Sequence, residues 1–337
     1  MRPFKYTSTN STSDATNLLV KNPNAHFLAG GTNLIDLMKE DVERPDELID
    51  LTRLDLTSVS AITTGLNNGG VTIGAVGKNT DAANHQLIRQ NFPLLTKAIL
   101  AGASAQIRNM ATNGGNLLQR TRCSYFYDTA MPCNKRSPGT GCAAKEGINR
   151  MHAIFGWSED CVAVYPSDMA IALSALDANV KVMQADGKIR SIPIQDFHRL
   201  PGNHPEKDNN LNRGDLITSI EIPKNKFAAH SAYVKVRDRN SYAFALVSVA
   251  AGLELDGNKI VSAHISMGGV AHKPWRALKS EAFLKGKAAT TANFKAAAEA
   301  EMVDAKTLSH NKFKVDLGKN TIVSALEIAL RGTDSKA

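Results

Sequence analysis

Cys123, Cys133, Cys142 and Cys161 are the only cysteines of the 337-residue chain, and all four fall in one 39-residue window. Thiolates gathered on loop-like sequence can ligate metal, and scattered structural cysteines would rarely cluster so. Their gaps of nine, eight and eighteen residues lack the C-x₂₋₄-C knuckle of zinc ribbons and the C-x₂-C run of ferredoxins. Nor are four cysteines in a chain this long a disulfide framework, which is a device of small secreted domains. Spacing alone therefore leaves an iron–sulfur cluster, a zinc site, two disulfides and free buried thiols all open. Arg120, Arg122, Lys135, Arg136 and Lys145 lie among the cysteines; positive neighbours would favour an anionic cluster and depress the thiol pKa values. Tyr125-Phe126-Tyr127 would shield such a site from water.

A second kind of chemistry is written in glycines. Leu28-Ala29-Gly30-Gly31-Thr32-Asn33 follows a short apolar strand and precedes helical spacing at Leu34, Leu37 and Met38. Paired glycines let backbone N–H groups approach a pyrophosphate, and Thr32 and Asn33 add side-chain donors. Thr112-Asn113-Gly114-Gly115-Asn116 repeats the pattern over 80 residues later. Two such turns converging on one diphosphate would make the two-sided cradle a dinucleotide needs. Neither matches G-x-G-x-x-G, and no P-loop G-K-[ST] is present, which excludes those two nucleotide folds.

Asp168, after Pro166-Ser167, reads either as a first-turn helix carboxylate or as a hydrogen-bond acceptor for a ribose or ribityl hydroxyl. Lys235, in the strand Tyr233–Arg237, is ordinarily a solvated residue; beside a flavin it would stabilise negative charge on the reduced ring. His264 and His272 read as surface or packed histidines. No Ser/His/Asp set, paired carboxylates or His-rich metal motif supports a hydrolase.

The elements that position these residues divide into three. Residues 1–58 read as a small α/β unit: strands at Phe4–Tyr6, His26–Ala29 and Leu48–Leu51, and a helix over Asp14–Val20 capped by Ser13-Asp14. Residues 59–224 form a second unit, with strands at Val71–Ala75, Asn179–Gln184, Ile189–Ile192 and Leu216–Ile222. Its helices are expected from Thr80-Asp81 to about Arg89, over Leu94–Ala101 and over Met169–Asp177, with a polar loop at 201–213. Residues 225–337 read as strands at Ala232–Arg237, Ala243–Leu255 and Lys259–Met267, then helices at Ala277–Leu284, Thr291–Val303 and Thr321–Leu330. Strands followed by helices imply an α+β layer.

The formal charge of +8 comes from dispersed lysines and arginines, and no nucleic-acid-binding motif accompanies it, so nucleic acid is not an expected partner. No apolar run approaches the roughly 18 residues of a membrane span. The N-terminus MRPFKYTSTN has no apolar h-region and no twin arginine, so no export signal is expected of this chain.

Taken in order, FLAGGTNLIDLMK, IRNMATNGGNL, PSDMA, TSIEIP and GGVAHKPWRA resemble the FAD-binding subunits of the molybdenum hydroxylases, the xanthine dehydrogenase and aldehyde oxidase family. The resemblance spans essentially the whole chain and is nearest the bacterial periplasmic aldehyde oxidoreductase type, whose FAD subunit carries an inserted [4Fe-4S] segment. It implies a vanillyl-alcohol-oxidase-type (PCMH-type) FAD-binding domain of two α/β subdomains plus a C-terminal α+β domain as in CO dehydrogenase flavoproteins. Phe27, Leu28, Ala29, Gly30, Gly31, Thr32, Asn33 and Leu34, with Thr112, Asn113, Gly114, Gly115 and Asn116, would hold the FAD pyrophosphate. Asp168 would bind FAD, Ile217 would pack near it and Lys235 would contact the flavin region. The insertion would run from Leu118 to about Cys161, with Cys123, Cys133, Cys142 and Cys161 as cluster ligands. Where xanthine dehydrogenases place a phenylalanine before an Ala-Gly turn, this chain has Leu100-Ala101-Gly102.

By the same resemblance, a molybdenum-cofactor large subunit oxidises the aldehyde and a [2Fe-2S] small subunit relays the electrons. This chain would receive them and pass them to an external acceptor. Export would then be periplasmic, on a partner's twin-arginine signal; the alternative compartment is the cytoplasm. Rival readings are a stand-alone flavin oxidase, for which no catalytic base is evident, and a zinc-stabilised interaction subunit without redox activity.

Overall fold

In a computed structural model of the chain, residues 1–65 and 67–333 are described. Three short parallel strands, β1 (Lys5–Ser8), β2 (Ala25–Leu28) and β3 (Glu47–Asp50), form the first sheet in the order β1-β3-β2. The helix over Thr12–Lys21 covers it with Ala15 and Leu19. Its cap is Ser11 rather than Ser13-Asp14: the Ser11 hydroxyl accepts the Asp14 N–H at 3.2 Å, while Ser13 bonds back to that hydroxyl.

The second sheet is antiparallel. It contains β4 (Val59–Ala61), β5 (Val71–Gly74), β6 (Asn179–Met183), β7 (Ile189–Pro193) and β8 (Leu216–Ile222), in the order β4-β5-β8-β6-β7. The expected helix from Thr80-Asp81 to Arg89 is two helices, Asn79–Asn84 and Gln86–Asn91. His85 breaks it by adopting extended backbone (φ −65°, ψ 133°), and its ring accepts the Leu87 N–H to start the next turn.

The third sheet, also antiparallel, is built from β9 (Ser231–Val236), β10 (Val247–Asp256), β11 (Lys259–Gly268) and β12 (Trp275–Arg276), in the order β12-β11-β10-β9. The last helix runs over Phe313–Arg331, two turns longer at its start than Thr321–Leu330. The polar residues of its first turns, Lys314 among them, break the apolar period that marks a helix in sequence.

One helix locks the second and third sheets together. Asp168–Ala175 is apolar on every side and wholly buried, as a helix without a solvent face must be. It packs between the helix Pro93–Ala101 and strands β10 and β11. A Cβ on Gly268 would stand 2.8 Å from the Ile171 side chain, so glycine there permits the contact. Each fully buried aliphatic side chain of this core, such as Leu95 and Leu173, contributes about 1.5–3 kcal/mol. Between the helix Asn113–Leu117 and this one lies the cysteine segment. It carries only the short helices Ser124–Tyr127 and Ala143–Glu146 and the isolated bridges Cys133–Cys142 and Ser158–Cys161.

Candidate functional site

The two glycine turns meet. A Cβ built on Gly30 would lie 2.1 Å from the Met110 carbonyl oxygen and 3.0 Å from the Ala111 Cα. The turn after β2 therefore presses directly on the residues leading into Thr112, and only glycine allows it. Gly31 takes φ +71°, a backbone conformation that favours glycine. Gly30, Gly31 and Thr32 donate no backbone hydrogen bond among the described residues, which leaves their N–H groups available to a ligand. The Asn33 side-chain nitrogen is likewise buried and unpartnered.

That space is a cavity of about 1120 Å³. Phe27 through Leu34, Thr112, Gly114, Gly115, Asn116, Asp168, Ile217 and Lys235 all line it. Asn113 does not. Its side chain turns away, donating to the Gly74 carbonyl at 3.1 Å and accepting from Asn79 at 2.9 Å, so it braces the turn from behind. The Thr112 hydroxyl accepts the Gly115 N–H at 3.2 Å, which shapes the second turn. Ser167 links that turn to the buried helix by donating to Asn116 at 2.5 Å while accepting the Ala170 N–H.

Asp168 and Lys235 form a buried ion pair at 2.7 Å, with side chains 8% and 4% exposed. The Tyr233 hydroxyl donates to the other Asp168 oxygen at 2.5 Å, and burial followed by this carboxylate pushes its pKa well up. Lys235 also donates to the Ala101 carbonyl at 3.1 Å. Neither residue is the free group read from sequence; together they make a neutralised polar wall. The cavity's other wall was missed altogether. Tyr242 and Phe244, in the loop between β9 and β10, line it, and Tyr242 holds a φ of 51°. The Arg122 guanidinium stands 5.5 Å from the centre of the Phe244 ring and pairs with Asp36 at 2.8 Å. Aromatic side chains thus reach the cavity from Phe27 and from this loop, while Leu100 does not line it. The expected strand Ala243–Leu255 begins only at Val247, which leaves Phe244 in the loop.

The four cysteines line a second, much smaller cavity of about 10 Å³, together with Tyr125, Phe126, Lys135 and three alanines, enough for a single water. All four are free thiols, which overturns the disulfide alternative. Among the described residues no three His, Cys, Asp or Glu side chains converge closely enough to hold one metal ion, which speaks against zinc. Burial pushes Cys123 up to about 11. A hydrogen bond between Cys142 and Cys161 lowers the first to about 6 and raises the second.

The basic neighbours mostly serve other partners. Arg120 pairs with Glu43 at 2.6 Å and Asp208 at 2.8 Å. Lys135, buried, pairs with Asp208 at 2.5 Å, Arg136 donates to the carbonyls of Tyr125 and Phe126, and Lys145 pairs with Glu159. Lys135 favours the thiolate of Cys161, and Lys145 that of Cys142. Phe126 is fully buried, and Arg120 lies over its ring at 4.8 Å. Because the Arg120 N–H also donates to the Asn33 side chain at 2.9 Å, one residue ties the glycine turn to the cysteine cavity.

Histidines also reach the thiols. The Nε2 of His152 lies 3.1 Å from Cys123 Sγ, and that of His272 3.2 Å from Cys161 Sγ. Burial holds His152 down at about 4 and His272 well below its ordinary value. His272 is thus packed as expected, but on sulfur, while His264 bonds the Ala175 carbonyl beside Phe227.

Comparison with known proteins gives this arrangement its class, a flavoprotein of the molybdopterin dehydrogenases. Residues 2–225 match the family described as the FAD binding domain in molybdopterin dehydrogenase, and residues 231–329 match the CO dehydrogenase flavoprotein C-terminal domain. The chain belongs to this family and is a subunit of an oxidoreductase. It is 46% identical to the aldehyde oxidoreductase FAD-binding subunit PaoB of Escherichia coli K12, over 97% of this chain and 98% of that one. With the glyceraldehyde dehydrogenase medium chain of Sulfolobus acidocaldarius it shares 29% identity over 84% and 82% of the two chains. The fold superposes on a chain of the carbon monoxide dehydrogenase from Hydrogenophaga pseudoflava with a TM-score of 0.76. That match has 23% identity and covers 98% of this chain and 99% of that one. The mixed α+β class with its C-terminal flavoprotein domain stands as expected.

Proposed function

We propose that this chain is the FAD- and [4Fe-4S]-containing electron-transfer subunit of a molybdenum-dependent aldehyde oxidoreductase. Its partners would be a molybdenum-cofactor large subunit and a [2Fe-2S] small subunit, and its electrons would leave to an external acceptor. The observation that carries the flavin part is the contact of Gly30 with Met110 and Ala111, which sets both glycine turns on one cavity. Identity of 46% over nearly all of both chains supports the aldehyde and the partners.

FAD, when bound, supplies a carrier able to accept and release electrons, and the protein supplies its position and surroundings. The backbone N–H groups of Gly30, Gly31 and Thr32 would hold the pyrophosphate from one side and Thr112 to Asn116 from the other. Asp168 and Lys235 are already paired with each other in that wall. Tyr242 and Phe244 line the same space.

For the cluster, the donor set supports the reading: four thiols line one cavity, and no carboxylate shares it. The room is that of a water, so loading must part the thiols. Cys133 and Cys142 face each other across an isolated bridge, Cys161 is bridged to Ser158, and none of the four lies in a sheet. Export to the periplasm on a partner's twin-arginine signal completes the proposal.

Flavin, iron and acid-labile sulfide measured on the purified complex test it. One FAD and four irons beyond those of the small subunit are expected. A flavin-free complex would sink the proposal, and a complex with flavin but without the extra iron would remove the cluster. Deleting the partner's signal should leave this chain in the cytoplasm; unchanged fractionation would remove the export step.

A further inference from the structure

His152 and His272 come to the cysteine cavity from different parts of the chain, one inside the cysteine segment and one just beyond β11. Both are buried, 4% and 8% exposed. Each sets Nε2 on a different sulfur, at 3.1 Å from Cys123 and 3.2 Å from Cys161. In both rings the Nδ1 atom is buried and has no partner among the described residues, so sulfur is the ring's only polar contact. A metal-bound thiolate has no hydrogen to give; the imidazole must then be the donor through Nε2–H.

The backbone beside each ring is anchored. Lys314 and Asn311 donate to the His152 carbonyl at 2.9 and 3.2 Å, and the Ile154 and Phe155 N–H groups bond Val270, two residues before His272. The backbone that carries each imidazole is therefore tied to the C-terminal part of the chain.

Hydrogen bonds to ligand sulfur stabilise the electron-rich state of a cluster and raise its potential. We propose that His152 and His272 are positioning residues that donate to Cys123 and Cys161 and so make the cluster easier to reduce. This rests on the reading of the four thiols as cluster ligands.

The test is an EPR-monitored redox titration of the purified complex with dithionite, for wild type, His152→Phe, His272→Phe and the corresponding Gln variants. Each Phe variant should lower the cluster's reduction equilibrium constant about tenfold, about 59 mV for one electron. Gln, which keeps an N–H, should recover part of that, and the flavin couple should stay in place. Phe variants with full iron and an unmoved midpoint would overturn the inference. In wild type labelled with ¹⁵N-histidine, two histidine nitrogens should couple to the reduced cluster in pulsed EPR. Absence of that coupling overturns the inference even where a variant loses iron. A wild-type complex without the extra iron and sulfide instead overturns the thiolate reading itself, and this inference with it.

Discussion

The two cavities on either side of Arg120 are built from different materials. The larger has main chain along one side, the two glycine turns, with Asn113 bracing the second of them from behind. The smaller is walled by side chains: four thiols, Phe126 and Lys135, carried on loops that regular structure does not hold. Those loops are held by buried polar groups instead, with Lys135 tied to Asp208 and the Pro205 carbonyl and Lys314 to three carbonyls. A main-chain site is intolerant of any added Cβ, whereas a side-chain site is intolerant of losing one functional atom.

The sharpest way to separate them is Cys133→Ser. The cavity should lose all of its iron while FAD occupancy stays, and iron that survives in full would deny Cys133 a ligand's role. Next in size is the reverse experiment. Gly30→Val puts side-chain atoms where 2.1 Å already separates a bare Cβ from the Met110 oxygen, and Gly31→Val adds strain of about 1–3 kcal/mol at a positive φ. FAD binding should weaken at least about tenfold for each, equivalent to about 1.4 kcal/mol, with iron retained; full flavin in both would dismiss the cradle.

Asp168→Ala probes the wall where the larger cavity meets the buried helix. It strands Lys235, and breaking a buried pair costs about 3–5 kcal/mol, to be read as a loss in unfolding free energy. A variant within about 0.5 kcal/mol of wild type, the usual range of surface changes, would show the pair to be solvated.

The most gradual effect, spread over a range of pH, concerns the anchor of the smaller cavity. Burial lowers the Lys314 pKa from its ordinary 10.5 to about 7. Between those values the unfolded chain binds the extra proton, so stability should rise with pH across the window, by at most about 1.4 kcal/mol per pH unit. Lys314→Met should flatten that slope in thermal or denaturant unfolding of the complex. An unchanged slope would assign the pH dependence elsewhere.

Much of this was readable in advance, for identifiable reasons. The glycine pairs and the alternating strand Leu216–Ile222 are local patterns, and local patterns survive in sequence. The apolar run after Asp168 is buried as its composition implies. Less legible were features set by partners distant in the chain. His85 divides a helix whose period looked continuous, and Ser11 supersedes a cap two residues later. Lys314 hides the first turns of the last helix because a buried lysine contradicts the apolar pattern. Asn113 belongs to the motif yet faces away, since the turn needs a brace more than another donor. Phe244 continues the apolar pattern of the expected strand Ala243–Leu255, yet the strand starts at Val247 and leaves it, with Tyr242, to line the cavity.

By itself the sequence determined the cofactor class, because closeness of backbone to a phosphate demands glycine at fixed places and leaves a motif. It also determined that the four sulfurs share one segment. Only the tertiary structure decided that both glycine turns abut, that Asp168 and Lys235 neutralise each other, and that two histidines from separate parts of the chain rest on two of the thiols. Those outcomes depend on distances across folded layers, and covalent neighbours carry no record of them.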